Sequence, residues 1–269
     1  MHNLPRISVI TPSLNQGAYI ERTIRSVLSQ GYPDLEFIVV DGGSTDNTVS
    51  ILRRYGNSLL WISEKDEGQS HAINKGMRMA TGDIIAYLNS DDIYEPGALT
   101  KVAAAFAEDA SVMWLTGRCR IVDQNGCETR RAITAYKNFL LGHFSYAMLL
   151  VTNPISQPAT FWRRAVVDEI GFFNVDEHLV MDYEYWLRIG GKYPLQILGD
   201  YLACFRVHAS AKTQSTGFGN FRREYEVSRR FTSSPLLHTL HYFNYLAIVA
   251  AYKTMGLASR PGRRVSSDS

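Results

Sequence analysis

Cysteine is scarce in these 269 residues. Cys119, Cys127 and Cys204 form an odd set with no Cys-x-x-Cys pair, which excludes a disulfide framework or a structural zinc site as the organising feature. A Gly-x-Gly-x-x-Gly turn is also missing. The first strand-like segment runs instead into Thr11-Pro12-Ser13-Leu14-Asn15-Gln16-Gly17, which sets aside a dinucleotide-dependent oxidoreductase. No apolar run reaches the ~20 residues of a bilayer span. The nearest, Leu236 to Leu257, is broken by His238, His241, Asn244 and Lys253, so a packed or interfacial helix is expected there. The opening Met1 to Arg6 is polar and lacks the basic, apolar and small-residue sections of a secretory signal. Together with the odd cysteine set, it gives the expectation of a cytoplasmic protein.

Charge of one sign is lacking as well. The net charge is +2, with 20% charged and 45% hydrophobic residues, values that exclude disorder and fibrous repeats and suit one large domain with an appended segment. The distribution is uneven, because residues 215–269 hold eight Lys/Arg against three acids. A basic tail on a slightly acidic body points to an anionic surface as its partner. Nucleic acid is not expected, since no binding motif accompanies the charge.

Short apolar runs alternate with helix-period segments over the first hundred residues, as in β-α units that feed a mostly parallel sheet. Strands are expected at 7–11, 35–40, 59–62 and 84–88, and helices at 19–28, 48–55 and 70–79. Beyond Pro96, a helix to Phe106 is followed by a strand over 112–122 and a hairpin signal at Asn125-Gly126. Residues 136–150 read as helical, 159–162 as a strand and 183–189 as a short helix, so the order becomes mixed.

Three polar clusters fall where such a sheet places its ligands, at the carboxyl ends of strands. In Asp41-Gly42-Gly43-Ser44-Thr45-Asp46, Ser44 to Asp46 suit a helix cap. Asp41 has no capping duty and can accept hydrogen bonds from a base or a ribose. In Asn89-Ser90-Asp91-Asp92, adjacent carboxylates repel unless a cation stands beside them, and their hard oxygens suit Mg²⁺ or Mn²⁺ on a diphosphate; capping of the next helix is the alternative. Asp182, opening Tyr183 to Ile189, serves equally as helix cap or catalytic base, while Tyr185, Trp186 and Ile189 belong to a core stripe.

Taken in order, Ile7 to Asn15, Ile38 to Asp46, Asn74-Lys75-Gly76, Gly82-Asp83, Leu88 to Asp92, Asp182 to Arg188 and Phe205-Arg206-Val207-His208 resemble glycosyltransferase family 2 over residues 6–215. The resemblance implies the GT-A fold, an α/β fold with a Rossmann-like nucleotide-binding half (1–95) and an acceptor-side half (96–215), followed by a basic helical C-terminal extension (216–269). It implies that Thr11, Pro12, Asn15, Asp41, Asp66, Lys75, Ser90 and Asp91 bind the nucleotide. Asp91 and Asp92 stand at the metal motif, whose first acid is Asn89 here. Asp182 stands at the catalytic base, with Met181 where an acid often precedes it. His208 is either a further metal or phosphate contact or an exposed loop histidine. Processive synthases of the family resemble one another in a Gln-x-x-Arg-Trp motif and several membrane helices, and this sequence has neither.

The expected activity is therefore inverting, single-addition transfer of a sugar from a nucleotide diphosphate sugar, UDP-linked by default, to a glycan or lipid-linked acceptor in cell-surface polysaccharide biosynthesis. It would use Mg²⁺ or Mn²⁺ and work at the inner face of the membrane through the basic extension. A nucleotidyltransferase, or a nucleotide-sugar-binding protein without turnover, is the alternative.

Overall fold

The computed structural model describes residues 4–209 and 218–254. The chain opens with β1 (Ile7–Ser13), α1 (Ile20–Leu28), β2 (Leu35–Asp41), α2 (Thr48–Arg54), β3 (Leu60–Ser63), α3 (Gln69–Met79) and β4 (Ile84–Tyr87). β1 pairs in parallel with both β2 and β4, and β3 pairs in parallel with β2. β1, β2 and β4 are buried on both faces, which is why their residues are continuous apolar runs and not alternations, while β3 is a partly exposed edge strand. Ile7, Val9, Phe37, Val39 and Ala86 face one layer of helices, and Ile10, Ile38, Val40, Ile85 and Tyr87 face the other. α1 presents Ile20, Thr23, Ile24 and Val27 to the first layer at three- and four-residue spacing. α3 lies so close to the sheet that a side chain at Gly76 would meet Ile10 at 2.4 Å.

The second half is mixed, as expected. It comprises β5 (Ile93–Tyr94), α4 (Ala98–Glu108), β6 (Trp114–Val122), α5 (Arg131–Gly142), α6 (Tyr146–Leu149), β7 (Thr160–Arg163), α7 (Arg164–Ile170), α8 (Met181–Gly190) and β8 (Gln196–Arg206). Among the described residues the sheet order is β3-β2-β1-β4-β7-β6-β8-β5. β7 is antiparallel to β4 and β6, β5 is antiparallel to β8, and β6 and β8 are parallel. The Asn125-Gly126 turn forms, but it closes only a single bridge, Val122 with Glu128, instead of a hairpin of two strands. Asp123 explains the short closure, since its side chain accepts the backbone N–H of both Asn125 and Cys127.

The apolar stripe of α8 is core. Trp186 and Tyr185 pack with Trp114, Trp162 and Phe173 in one aromatic cluster, with Trp162 edge-on to Tyr185, Trp186 and Phe173.

Two further helices, α9 (Gly219–Ser228) and α10 (Pro235–Thr254), close the described chain. None of the described helices is long and apolar enough to cross a membrane. The polar residues that interrupt the apolar run are what dock α10. His241 bonds the Leu150 carbonyl at 2.8 Å and Ser228 at 2.9 Å, and Asn244 donates to the Val151 carbonyl at 3.1 Å. α9 is fastened through Glu177, whose buried carboxylate receives two bonds from Arg223 and one from Arg230. The expected boundary at residue 215 and the basic residues Arg260, Arg263 and Arg264 lie outside the described residues.

Trp162 is fully buried at the centre of the aromatic cluster. Trp162→Ala is expected to destabilise the fold by ~3–5 kcal/mol. A urea titration that finds a loss below ~1 kcal/mol would show that the cluster is not a packing centre.

Candidate active site

Because β1, β2 and β4 run in parallel, the turns that follow them meet at one edge of the sheet. Asn15, with φ of 53°, redirects the chain after β1. Its side-chain oxygen accepts the Thr45 N–H, and its own N–H donates to the Ser44 hydroxyl. Asp46 accepts from the N–H groups of Gly17 and Thr48 and ties the turn to the start of α2, but the cap position expected within Ser44 to Asp46 belongs to Asn47, whose side chain makes no cap bond. Asp41 caps no helix, yet its carboxylate is engaged within the protein. Its carboxylate accepts from the N–H groups of Gly43 and Ser44 and from the hydroxyls of Ser44 and Ser63, and it forms the turn. Gly42 is required beside it, because a side chain there would meet the Asp66 carboxylate at 2.5 Å.

The turn after β4 is built around two acids with opposite surroundings. Asp92 is fully buried. Its carboxylate accepts the Arg206 N–H at 2.8 Å and lies 3.4 Å from the Asn89 amide. Burial first, and the charge of Asp91 second, push this carboxyl well above the usual carboxylate range. Asp91 is half-buried and faces the cavity, with His208 Nε2 3.0 Å from its Oδ2. His208 is itself buried and stacks on Tyr19 at 4.2 Å, so the exposed-loop alternative for it fails. Asn89 is held on both sides, its Oδ1 accepting from Gln69 and its amide donating to Gln157, whose amide donates in turn to the Tyr87 carbonyl.

These turns open onto a cavity of about 1090 Å³. Pro12, Ser13, Asp66, Ser90, Asp91 and Asp182 line it, so it joins the expected nucleotide side to the expected base. The Ser13 hydroxyl is buried there and has no hydrogen-bond partner among the described residues. Asp182 does not occupy the cap position of α8. That position belongs to Val180, and Asp182 sits in the first turn, where the positive end of the helix favours a carboxylate.

Thr11, Asn15, Asp41, Lys75, Asp92 and His208 do not line the cavity. Thr11 is buried in β1 and Asn15 and Asp41 fix the turns, while Lys75 is drawn aside by an ion pair with Glu64. Asp92 is turned inward because the Arg206 N–H and the Asn89 amide lie on that side. Among the described residues no three His, Cys, Asp or Glu side chains gather as a metal cluster. The donor set at the cavity is therefore Asp91 backed by His208, a carboxylate and an imidazole. That set fits a cation which takes its remaining ligands from a diphosphate and water, the usual habit of Mg²⁺ and Mn²⁺.

Deeper in the cavity the sequence gives little signal. Lys137 of α5, Asn153 and Glu224 of α9 line it near Asp182, and single polar residues in a helix or loop read as surface. Glu224 is pushed up to about 8, by burial first and by the charge of Asp182 second, while the Asn153 amide and Lys137 pull it back. Burial lowers the Lys137 ammonium.

Residues 8–171 match the family model described as Glycosyl transferase family 2. The chain belongs to glycosyltransferase family 2. A PGL/p-HBAD biosynthesis glycosyltransferase of Mycobacterium bovis is 30% identical over 190 residues, covering 68% of this chain and 69% of that protein. Among solved structures, a mannosyltransferase of Pyrobaculum calidifontis in complex with GDP-Man and Mn²⁺ superposes with a TM-score of 0.69 at 21% identity, covering 96% of this chain and 77% of that one. S. aureus TarS superposes with a TM-score of 0.63 at 18% identity; 98% of this chain is covered but only 46% of TarS, which is also known with UDP and with UDP-GlcNAc. These structural likenesses establish the GT-A-type fold of this family 2 glycosyltransferase.

Glu224 supplies a pH test of the site. An unfolded glutamate titrates near ~4.3, and one held at about 8 favours the neutral form, so the fold weakens as pH rises from ~4.3 toward 8. Glu224→Gln removes that dependence and still accepts from Asn153. It is expected to melt above the parent at pH 8 and level with it at pH 4. Equal melting at pH 8 would show that the carboxyl titrates normally.

Proposed function

We propose that this glycosyltransferase moves a sugar with inversion from a nucleotide diphosphate sugar, a UDP-sugar in the first instance, to a hydroxyl of a glycan or lipid-linked acceptor in cell-surface polysaccharide biosynthesis. The observation that carries this reading is that Asp91, at the end of β4, and Asp182, at the start of α8, line one cavity. The transferred group is a hexosyl or N-acetylhexosaminyl unit. The relatives' ligands support the nucleotide class, GDP-Man in one structure and UDP-GlcNAc in another.

In this reading Pro12, Ser13, Asp66, Ser90 and Asp91 hold the nucleotide, with Asn15 and Asp41 fixing the turns that carry it and Thr11 in the strand beneath. Asp91 and His208 would hold Mg²⁺ or Mn²⁺, which when bound offsets the charge that grows on the leaving diphosphate. Asp92 fixes the turn that presents Asp91. Asp182 accepts the proton of the acceptor hydroxyl while that oxygen bonds to the anomeric carbon from the face opposite the nucleotide. The carbon–oxygen bond to the β-phosphate breaks, and its electron pair leaves with the nucleoside diphosphate. A nucleotidyltransferase would instead break the bond between the two phosphates of such a donor, releasing sugar 1-phosphate, and has no need of a base at Asp182.

Incubation with a panel of UDP-, GDP- and dTDP-sugars and Mn²⁺ is expected to release nucleoside diphosphate, and to release none with EDTA. Asp182→Asn cannot take the proton, so transfer should fall by ~10²-fold or more with donor affinity retained. Sugar 1-phosphate as the released product would replace this reading with the nucleotidyltransferase, and wild-type turnover by Asp182→Asn would remove Asp182 as base.

The same reading places the enzyme at the cytoplasmic face of a membrane. α10 exposes Leu236, Leu240 and Phe243 along one stripe, and the segment from 215 onward is basic. Each basic residue near an anionic surface adds ~1 kcal/mol of attraction. The full chain is expected to float with vesicles containing anionic lipid at low salt, and the Leu240→Asp/Phe243→Asp variant to float less. Equal flotation of the two, or none by either, would leave the enzyme without membrane contact.

A further inference from the structure

The cavity has two ends of unlike chemistry. The end beneath β1, β2 and β4 is polar, lined by Ser13, Asp66, Gln69, Ser90 and Asp91. Past Asp182 the walls become largely apolar, with Ile133 and Leu140 of α5 contributing together with Phe221 of α9 and Ile248 and Tyr252 of α10, while Arg130, Thr134, Asn220 and Asn244 supply the polar groups there. The polar groups at the junction are Asp182, Asn153, Lys137 and Glu224. At about 1090 Å³ the whole exceeds the ~300–1,000 Å³ of a pocket for one small ligand, so it has room for a second substrate beside the donor.

The apolar end is built, since hydrogen bonds and ion pairs hold its walls in place, one of them made by Asn244 at the cavity's own edge. His241 and Asn244 pin α10 to the carbonyls of Leu150 and Val151, and Glu177 pins α9 through two arginines. A nucleotide sugar is polar throughout and gains little from such walls. A ligand that uses both the junction and the walls must carry hydroxyls at one end and hydrocarbon at the other.

We propose that the acceptor is an amphiphile whose hydroxyl-bearing head lies at Asp182, Asn153 and Glu224 and whose hydrocarbon body lies against α5, α9 and α10. This rests on the reading of Asp182 as the residue that faces the acceptor. It selects the lipid-linked alternative over a free glycan and makes the appended helices a specificity element. Ile248 is the wall residue that tests it, while Phe243, exposed on the opposite side of α10, is the control.

The probes are n-octyl β-glucoside below its micellar concentration and methyl β-glucoside, titrated into the full chain with and without UDP or GDP plus Mn²⁺. The octyl compound is expected to bind at least tenfold more tightly. Ile248→Asp should lose at least tenfold for the octyl compound with nucleotide affinity within twofold, and Phe243→Asp should lose nothing. Should Ile248→Asp unfold, Ala247→Trp, which fills the chamber, is expected to give the same loss. Equal affinity for the two glucosides, no binding of either, or a loss in Phe243→Asp in place of Ile248→Asp would overturn the proposal. Failure of both nucleotides to bind the parent counts against the donor reading alone, since the glucosides are also compared without nucleotide.

Discussion

The geometry of the site depends on one buried arrangement, the contact of Arg206 with the turn at 89–92. The Arg206 guanidinium is almost completely enclosed, donating from Nε to the Asp91 carbonyl and from its terminal nitrogen to the Asp123 and Gln124 carbonyls. Its backbone N–H meets the Asp92 carboxylate, and Thr23 donates to the Asp92 carbonyl from the α1 side. A guanidinium removed from water needs this many acceptors, and each of them fixes a stretch of chain. Asp92 is spent inside so that Asp91 can stand outside. The two adjacent acids therefore divide the work, one as an internal tether and the other as part of the cavity wall.

The nucleotide side follows the same economy. Asp41 and Asn15 spend their polar groups on the turns after β2 and β1, and the surfaces they leave to a ligand are backbone, Ser13 and the Asp66 carboxylate. Rigid turns joined across two strands give a ligand a surface that needs little rearrangement, which lowers the entropy cost of binding. At the other end burial first, and the charge of Asp182 second, raise the cost of charging Glu224. That leaves Glu224 neutral near pH 7 and able to donate a hydrogen bond.

The first half of the fold was legible because β-α units leave a local record. Buried parallel strands are apolar runs, and their helices carry three- and four-residue spacing, so strand ends fell within two residues of their expected places at Leu35 and Ile84. β8 went unread for the opposite reason. Residues 196–200 are partly exposed and include Gly199 and Asp200, and the strand's parallel pairing with β6 is set by partners some eighty residues away, through a bulge near Arg118. β5 has two residues and no pattern of its own. In the site, Asp91 and Asp182 were named from position. The inward turn of Asp92 and the ion pair of Lys75 with Glu64 were not, because orientation is decided by tertiary neighbours. Gln69, Gln157, Lys137 and Glu224 had no local signal at all, since nothing in a sequence tells a polar residue on a cavity wall from one in water.

The separation between Asp92 and Arg206 also sets an order of assembly. Their bond joins residues 114 apart in sequence. During synthesis β1 to β4 can pair while the chain is still short, because all four lie before residue 88 and the single units between successive strands are short loops to close. The turn that carries Asp91 receives its tether only when β8 has been made and has paired with β5. A nascent chain ending before that point holds the sheet edge with its 89–92 turn untethered, so the cavity wall at Asp91 is the last part of that edge to be fixed.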